Sequence, residues 1–336
     1  QNDLLTMSER DNNSRQSAYA SVVLSNELLA CCVSDTISEE GIREIIERRG
    51  LTPNNRDVSN HQFFHMACCN EEVTEGIIRC LLEYFPDAIS DAEGNGHLPL
   101  HAACGLNKNV RIDIIQLLID AAPDSVRHED NNGLMALHHL CGHRKVDETI
   151  ESAILKLLLE KHPDAIRHAN SEGRLPIHVA SMMSRSSEFC RVLIEAYPGS
   201  EQISDEDDRL PIHFACTYNT ATTVEYLYGL YPDAINHMTT EGMYPIHLAI
   251  SGLSKRADPG AAVDIVKFLL GCDPNVILQK IYGAVPLIGW AYILDHNDNY
   301  DDTNVGAAIE VVGVVHCHQL LSSDDDLWID GTRIAD

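Results

Sequence analysis

The sequence predicts an all-α fold, a solenoid of stacked helix-turn-helix repeats with short hairpin-like turns. Three observations predict it. The string Leu98-Pro-Leu-His-Ala-Ala-Cys104 returns as Leu175-Pro-Ile-His-Val-Ala180, Leu210-Pro-Ile-His-Phe-Ala-Cys216 and Tyr244-Pro-Ile-His-Leu-Ala249. Weaker copies are Gln62-Phe-Phe-His65-Met-Ala-Cys68, Met135-Ala-Leu-His138-His-Leu-Cys141 and Val285-Pro-Leu-Ile288-Gly-Trp-Ala291, the last without its His. The marker positions 65, 101, 138, 178, 213, 247 and 288 lie 34 to 41 residues apart, the period of one small supersecondary unit per copy. A second marker runs in phase with the first, as Phe85-Pro-Asp-Ala88, Ala122-Pro-Asp-Ser125, His162-Pro-Asp-Ala165, Tyr197-Pro-Gly-Ser200, Tyr231-Pro-Asp-Ala234 and Asp273-Pro-Asn-Val276. Third, polar turns that contain Gly separate the units.

Each unit follows from these signals in order. Its first helix opens at the Pro-x-His step, because Pro lacks the N–H that a first helical turn leaves unpaired anyway. The second helix carries apolar residues at helical spacing, as in Ile154-Leu-Lys-Leu-Leu-Leu159, and the following Pro stops it because it cannot donate to the ladder. Turns such as Asp91-Ala-Glu-Gly-Asn-Gly96, Glu129-Asp-Asn-Asn-Gly133, Asn170-Ser-Glu-Gly173 and Thr239-Thr-Glu-Gly242 place Gly at one phase, where positive φ carries no Cβ penalty.

Five segments result. Residues 1–18 are polar and are expected to form a disordered tail. Residues 19–55 form a helical cap, with helices over Leu24 to Val33 and from Gly41, the second opened by a capping box of Thr36 and Glu39. The array covers 56–294 in about seven repeats. An acidic loop and a capping helix over Val305 to Leu321, paired with Ile288 to Leu294, occupy 295–322, and 323–336 is an acidic tail.

The recurring line Gly-x-Leu-Pro-Leu-His-x-Ala-Cys, followed by a Leu-Leu helix and a Gly turn, resembles the ankyrin repeat, whose usual line is Gly-x-Thr-Pro-Leu-His-x-Ala-Ala. This chain departs from it consistently. Gln62, Leu98, Met135, Leu175, Leu210, Tyr244 and Val285 stand where the family has Thr, so the His loses a hydroxyl partner and must find others. The resemblance implies a stack that binds a protein partner through its turns and concave groove. It makes His65, His101, His138, His178, His213 and His247 structural, each bonding backbone in the turn of its own or the next unit.

Composition narrows the function. Lys and Arg number 24 against 51 Asp and Glu, a net charge of −27, which opposes nucleic acid and anionic membrane because phosphate contacts need basic side chains. No run of eighteen apolar residues predicts a membrane span. The cysteine total is odd, 11, with no Cys-x-x-Cys, and Cys68, Cys104, Cys141 and Cys216 share one small-residue position. That pattern points to buried free thiols and an intracellular, cytoplasmic reducing compartment, the nucleus being compatible as well. Six repeat histidines in separate units stand ~8–10 Å apart, too far for a zinc ion that holds ligands at ~2 Å, and His316 and His318 point to different faces of one helix. No metal and no cofactor is therefore expected. Neither is catalysis, because the chain has no phosphate loop, no Gly-x-Ser-x-Gly elbow and no His-Glu-x-x-His.

The expected function is a monomeric, non-catalytic scaffold for an unidentified protein. Equivalent turn positions form rows: Ser90, Arg127, Arg167, Ser204, Asn236 and Gln279, then Asp91, His128, His168, Asp205, His237 and Lys280. From these, Arg127, His128, Arg167, His168, Asn236 and His237 are the candidate contacts, with an acidic partner segment favoured by the two arginines on an acidic molecule. A second reading makes the chain the interaction arm of a larger enzyme, a kinase or ubiquitin-ligase component with its catalytic part elsewhere.

Overall fold

The computed structural model describes residues 21–53, 61–143, 147–255, 258–278, 280–281, 285–286, 310–315, 328–329 and 332–333. The chain divides into two compact units, 1–171 and 172–336. The expected tail 1–18, the expected helix over 288–294 and the loop 295–309 lie outside the described residues.

The first unit opens with α1 (21–32), which buries Leu24, Leu28 and Cys32, one residue per turn. Helix α2 (Glu39–Arg48) is capped by Ser38, whose Oγ accepts from the N–H of Gly41 at 3.1 Å. The cap therefore sits two residues later than the Thr36 box expected from sequence. The reason is apolar: with Ser38 as cap, the buried Ile37 and Ile42 fall at the two positions of a hydrophobic staple. Thr36 bonds Ser34 instead, and Glu39 pairs with Arg43 at 2.9 Å.

Three helix pairs follow: α3 (Gln62–Cys69) with α4 (Glu75–Tyr84), α5 (Pro99–Leu106) with α6 (Ile112–Ala121), and α7 (Ala136–Gly142) with α8 (Glu148–Lys161). First helices pack on first helices and second on second, α3 on α5 on α7 and α2 on α4 on α6 on α8. The core repeats with the sequence: Ile77, Ile78 and Leu81, then Ile114, Ile115 and Leu118, then Ile154, Leu155 and Leu158, all buried. Each such side chain contributes ~1.5–3 kcal/mol by leaving water.

The second unit repeats the plan with α9 (Pro176–Met182), α10 (Ser187–Ala196), α11 (Pro211–Tyr218), α12 (Ala221–Leu230), α13 (Pro245–Ser251) and α14 (Gly260–Cys272). Here α9, α11 and α13 stack, as do α10, α12 and α14. Its core trios are Phe189, Cys190 and Leu193, Thr223, Val224 and Leu227, and Ile265, Val266 and Leu269. Helix α15 (310–315) buries Val311 and Val315 and joins α14 through Lys267 and Glu310, 2.6 Å apart. It is the described part of the helix expected over 305–321. The β structure among the described residues is two two-residue ladders, Lys280–Ile281 with Val285–Pro286 and Trp328–Ile329 with Thr332–Arg333. The second lies in the segment read from composition as an acidic tail.

The Pro-Asp-Ala corners do more than stop a helix. The chain continues into short 3-10 helices at Pro86–Ser90, Pro123–Arg127, Pro163–Arg167, Pro232–Asn236 and Pro274–Leu278. At Tyr197-Pro198-Gly199 the Gly is left-handed, φ 90°, and shortens the 3-10 turn to Ser200–Gln202. That shift corrects the two rows of equivalent positions. The fourth-unit members are Gln202 and Ile203 instead of Ser204 and Asp205, because His178 bonds the carbonyl of Ile203 as His101 bonds that of His128.

Small residues lie where first helices meet. Ala67, Cys68, Ala103, Cys104, Ala215 and Cys216 are fully buried. Replacing Ala103 with Leu is expected to overpack α5 between α3 and α7 and to cost ~1–3 kcal/mol. A urea midpoint equal to that of the parent would mean that residue 103 does not face a neighbouring helix.

Candidate functional site

Three of the repeat histidines, His101, His178 and His213, bind backbone at both ring nitrogens. The N–H of Leu98 donates to His101 Nδ1 at 3.1 Å, and His101 Nε2 donates to the carbonyl of His128 at 3.1 Å. The same pair of bonds holds His178, between the Leu175 N–H and the Ile203 carbonyl, and His213, between the Leu210 N–H and the His237 carbonyl. In His138 and His247, Nδ1 accepts from Met135 and Tyr244. His65 Nε2 donates to the carbonyl of His97 at 2.9 Å. Only a neutral imidazole can accept at Nδ1 while donating at Nε2. Burial drives the pKa of His101 down to about 3, of His178 to about 4 and of His213 to about 3. These are the partners that replace the absent Thr hydroxyl.

The turns bond to each other. Within a turn, the N–H of Asp130 reaches the carbonyl of Leu134 at 3.0 Å and that of Gly133 reaches Asp130 at 2.9 Å. Between turns, Asn131 donates to the Asn95 carbonyl and Ser171 to Asn132 in the first unit, and Glu206 to Glu172 and Thr240 to Asp207 in the second. Close approach requires Gly here: Gly133 has φ 72°, and a Cβ on it would stand 2.9 Å from the Ser171 nitrogen.

The candidate contacts fall into two kinds. His128, His168 and His237 each commit Nε2 to the carbonyl of the preceding turn, Gly96 at 2.9 Å, Gly133 at 3.0 Å and Asp208 at 3.1 Å. Arg127, Arg167 and Asn236 end their 3-10 helices, ahead of the turn tips, with side chains exposed. Asp124 lies 4.0 Å from Arg127, an exposed pair of small energetic weight. The second unit also has a cleft of about 280 Å³ lined by Arg209, Phe214, Tyr218, Met243, Leu248 and Lys255.

Sequence reasoning missed a set of bridging asparagines. Asn107 and Asn219 each send their amide back to carbonyls of the preceding repeat, as Asn107 does to Cys68 at 3.0 Å and Asn70 at 2.9 Å, and Asn70 does the same to Cys32 and Ser34 of the N-terminal cap. An Asn five or six residues after the repeat His was the available signal, blurred by its changing offset.

The stacked pairs, the His locks and the bonded turns agree with a comparison of the sequence to known families. Ankyrin repeats in three copies match residues 107–207, and a further ankyrin repeat matches 241–277. These two stretches of the chain are ankyrin repeats. Among solved structures it is similar to the ankyrin repeat domain of Bcl-3, described as a unique member of the IkappaB protein family, at 17% identity and a TM-score of 0.47, covering 73% of this chain and 96% of that one. No curated protein matches it.

Proposed function

We propose that this chain is a non-catalytic scaffold that binds another protein, and that in its first unit Arg127 and Arg167 engage an acidic segment of that partner. Ankyrin repeats are generally protein–protein interaction modules. The observation that carries the reading is a division of labour at the 3-10 turns. Ile89, Val126, Ile166, Glu201 and Ile235 are buried, while the next residue, Ser90, Arg127, Arg167, Gln202 or Asn236, is exposed in every case. A fixed backbone thus presents an exposed side chain in each unit, and two of the five are arginines on a chain of net charge −27. Arg offers a planar fork for carboxylates, so an acidic partner segment is the fitting chemistry.

Two features bear on the setting. Ten cysteines among the described residues are free thiols, and burial raises the pKa of Cys32 and Cys104 to about 12, which suits a reducing intracellular compartment. No helix among the described residues is long and apolar enough to cross a membrane.

The test is calorimetry of the chain with a partner recovered by affinity capture. Arg127→Ala with Arg167→Ala is expected to weaken binding at least about tenfold and flatten its salt dependence, with the thermal midpoint nearly unchanged because exposed substitutions shift stability by less than ~0.5 kcal/mol. Undiminished affinity would move the interface to another surface.

A further inference from the structure

A second set of imidazoles converges on one carboxylate, outside the histidines that lock the repeats. Asp130 lies in a turn with its side chain fully buried, and its Oδ1 accepts the N–H groups of Asn132 at 2.8 Å and Leu134 at 2.9 Å. That fixes Oδ2, which receives His97 Nε2 at 3.1 Å and His139 Nε2 at 3.0 Å. His97 comes from the preceding turn and His139 from α7. Nδ1 of His97 is held by the Asn95 amide at 3.1 Å, which orients that ring. Gly105 clears space for the other ring, since a Cβ there would meet His139 at 3.1 Å.

The second unit shows what this place contains when it is purely structural. Counting from the repeat His, residues 97, 130 and 139 correspond to 174, 205 and 214. Asp205 is anchored in the same way, with Oδ1 accepting from Asp207 and Arg209, but its Oδ2 accepts from Arg174 Nε at 3.2 Å, and the guanidinium lies over the Phe214 ring at 5.1 Å. There a permanent cation neutralises the buried acid and hydrocarbon fills the third corner. At Asp130 both corners are imidazoles, where the second unit has a guanidinium and a phenyl ring.

We propose that His97 Nε2, His139 Nε2 and Asp130 Oδ2 form a binding site for a divalent first-row transition ion, of which Zn²⁺ is the fitting example. Two imidazoles and one carboxylate suit such ions and suit Mg²⁺ or Ca²⁺ poorly. The three ligand atoms already lie within 4.8 Å of one another, and ligands ~2.0–2.1 Å from a tetrahedral ion stand roughly 3.3 Å apart, so small ring rotations complete the set. The Asn132 and Leu134 N–H groups on Oδ1 act as outer partners that aim the carboxylate, while the proton His97 gives up at Nε2 moves to Nδ1 and turns the Asn95 amide away. A fourth position is left to water. Unlike the six repeat histidines, which stand in separate units, this set joins two turns and a helix at one point. The bound ion would clamp the 93–97 turn to the 130–134 turn and to α7.

The test uses the whole chain with Zn²⁺ or Co²⁺ alone as probe. Sister repeats supply substitutions that the fold already accepts, Leu134 at the place of His97 and Val179 at the place of His139. Relative to the parent, His97→Leu with His139→Val is expected to bind one ion fewer and to lose the visible Co²⁺ absorption of a four-coordinate nitrogen and oxygen site. At a hundredfold excess over Kd, Zn²⁺ should raise the parent's thermal midpoint on the order of 5–10 °C, and Mg²⁺ should not. Magnetic resonance of the parent adds a readout independent of any variant, with Zn²⁺ moving the His97 and His139 ring signals. Equal stoichiometry and equal Co²⁺ spectra in parent and variant, or ring shifts confined to other histidines, would overturn the assignment.

Discussion

Lowering the pH from 6.5 towards 4 is expected to unfold the chain, and histidines are expected to lead that loss. His101, His178 and His213 are neutral in the folded state down to about pH 3 to 4, because burial opposes their charge and each Nδ1 is already accepting an N–H. In the unfolded chain the same rings take a proton near pH 6.5. Above that pH neither state binds the proton, and the stability of the locks is fully present. Below it only the unfolded state gains protons, so stability falls as pH falls until the folded pKa values are reached. Each ring contributes a slope of ~1.4 kcal/mol per pH unit, and three contribute ~4. Against a typical reserve of ~5–15 kcal/mol, two pH units remove most of it. The measurement is the urea midpoint between pH 7.5 and 4.5. His213→Gln should lower the midpoint at pH 7.5 yet make its pH dependence shallower by about one third. A midpoint flat from pH 7 to 5 would show that these rings are not held neutral.

This dependence also explains how much could be read from sequence. The period, the Pro-opened first helices and the Gly turns were legible because each is a local requirement: a missing N–H, a positive φ, an apolar stripe. The histidine's role was legible only in kind. That it binds backbone followed from its place in every unit, but its two partners, three residues back and 24 to 27 residues ahead in the cases of His101, His178 and His213, depend on how the chain returns. The Ser38 cap was misplaced because the pattern of Thr36 and Glu39 ignored which isoleucines must bury. The fourth-unit register slipped at Gly199, where a left-handed residue shortens the corner. Of the candidate contacts, exposure of Arg127, Arg167 and Asn236 fits a local reading, whereas the bonds of His128, His168 and His237 to the preceding turn needed the stack. The convergence of His97 and His139 on Asp130 was illegible for the same reason, since their common point exists only once two turns and a helix are side by side.

Asn107→Ala is expected to be among the most destabilising single changes in the first unit, although the residue is polar. Its side chain is 1% exposed and satisfies three backbone groups at once. Nδ2 donates to the carbonyls of Cys68 and Asn70, which are left over at the end of α3, and Oδ1 accepts the N–H of Asn109 at 2.9 Å. One amide thus closes the end of one repeat while starting the loop of the next. Alanine would leave the Cys68 carbonyl unpaired in a buried place and the other two groups in part-buried ones, at ~1–3 kcal/mol for each buried group that stays unpaired, so a loss of ~2 kcal/mol or more is expected. Asn107→Asp separates shape from donation: it keeps the acceptor for Asn109 but turns a carboxylate towards two carbonyl oxygens, and should be at least as damaging as Ala. Asn70 makes the equivalent bonds to Cys32 and Ser34, so Asn70→Ala should behave alike at the α1 junction. Denaturant midpoints of the three variants decide the matter. A cost below ~0.5 kcal/mol for Asn107→Ala would mean that water replaces the amide, and the repeats would then be joined by apolar packing and the turn ladder without this polar bridge.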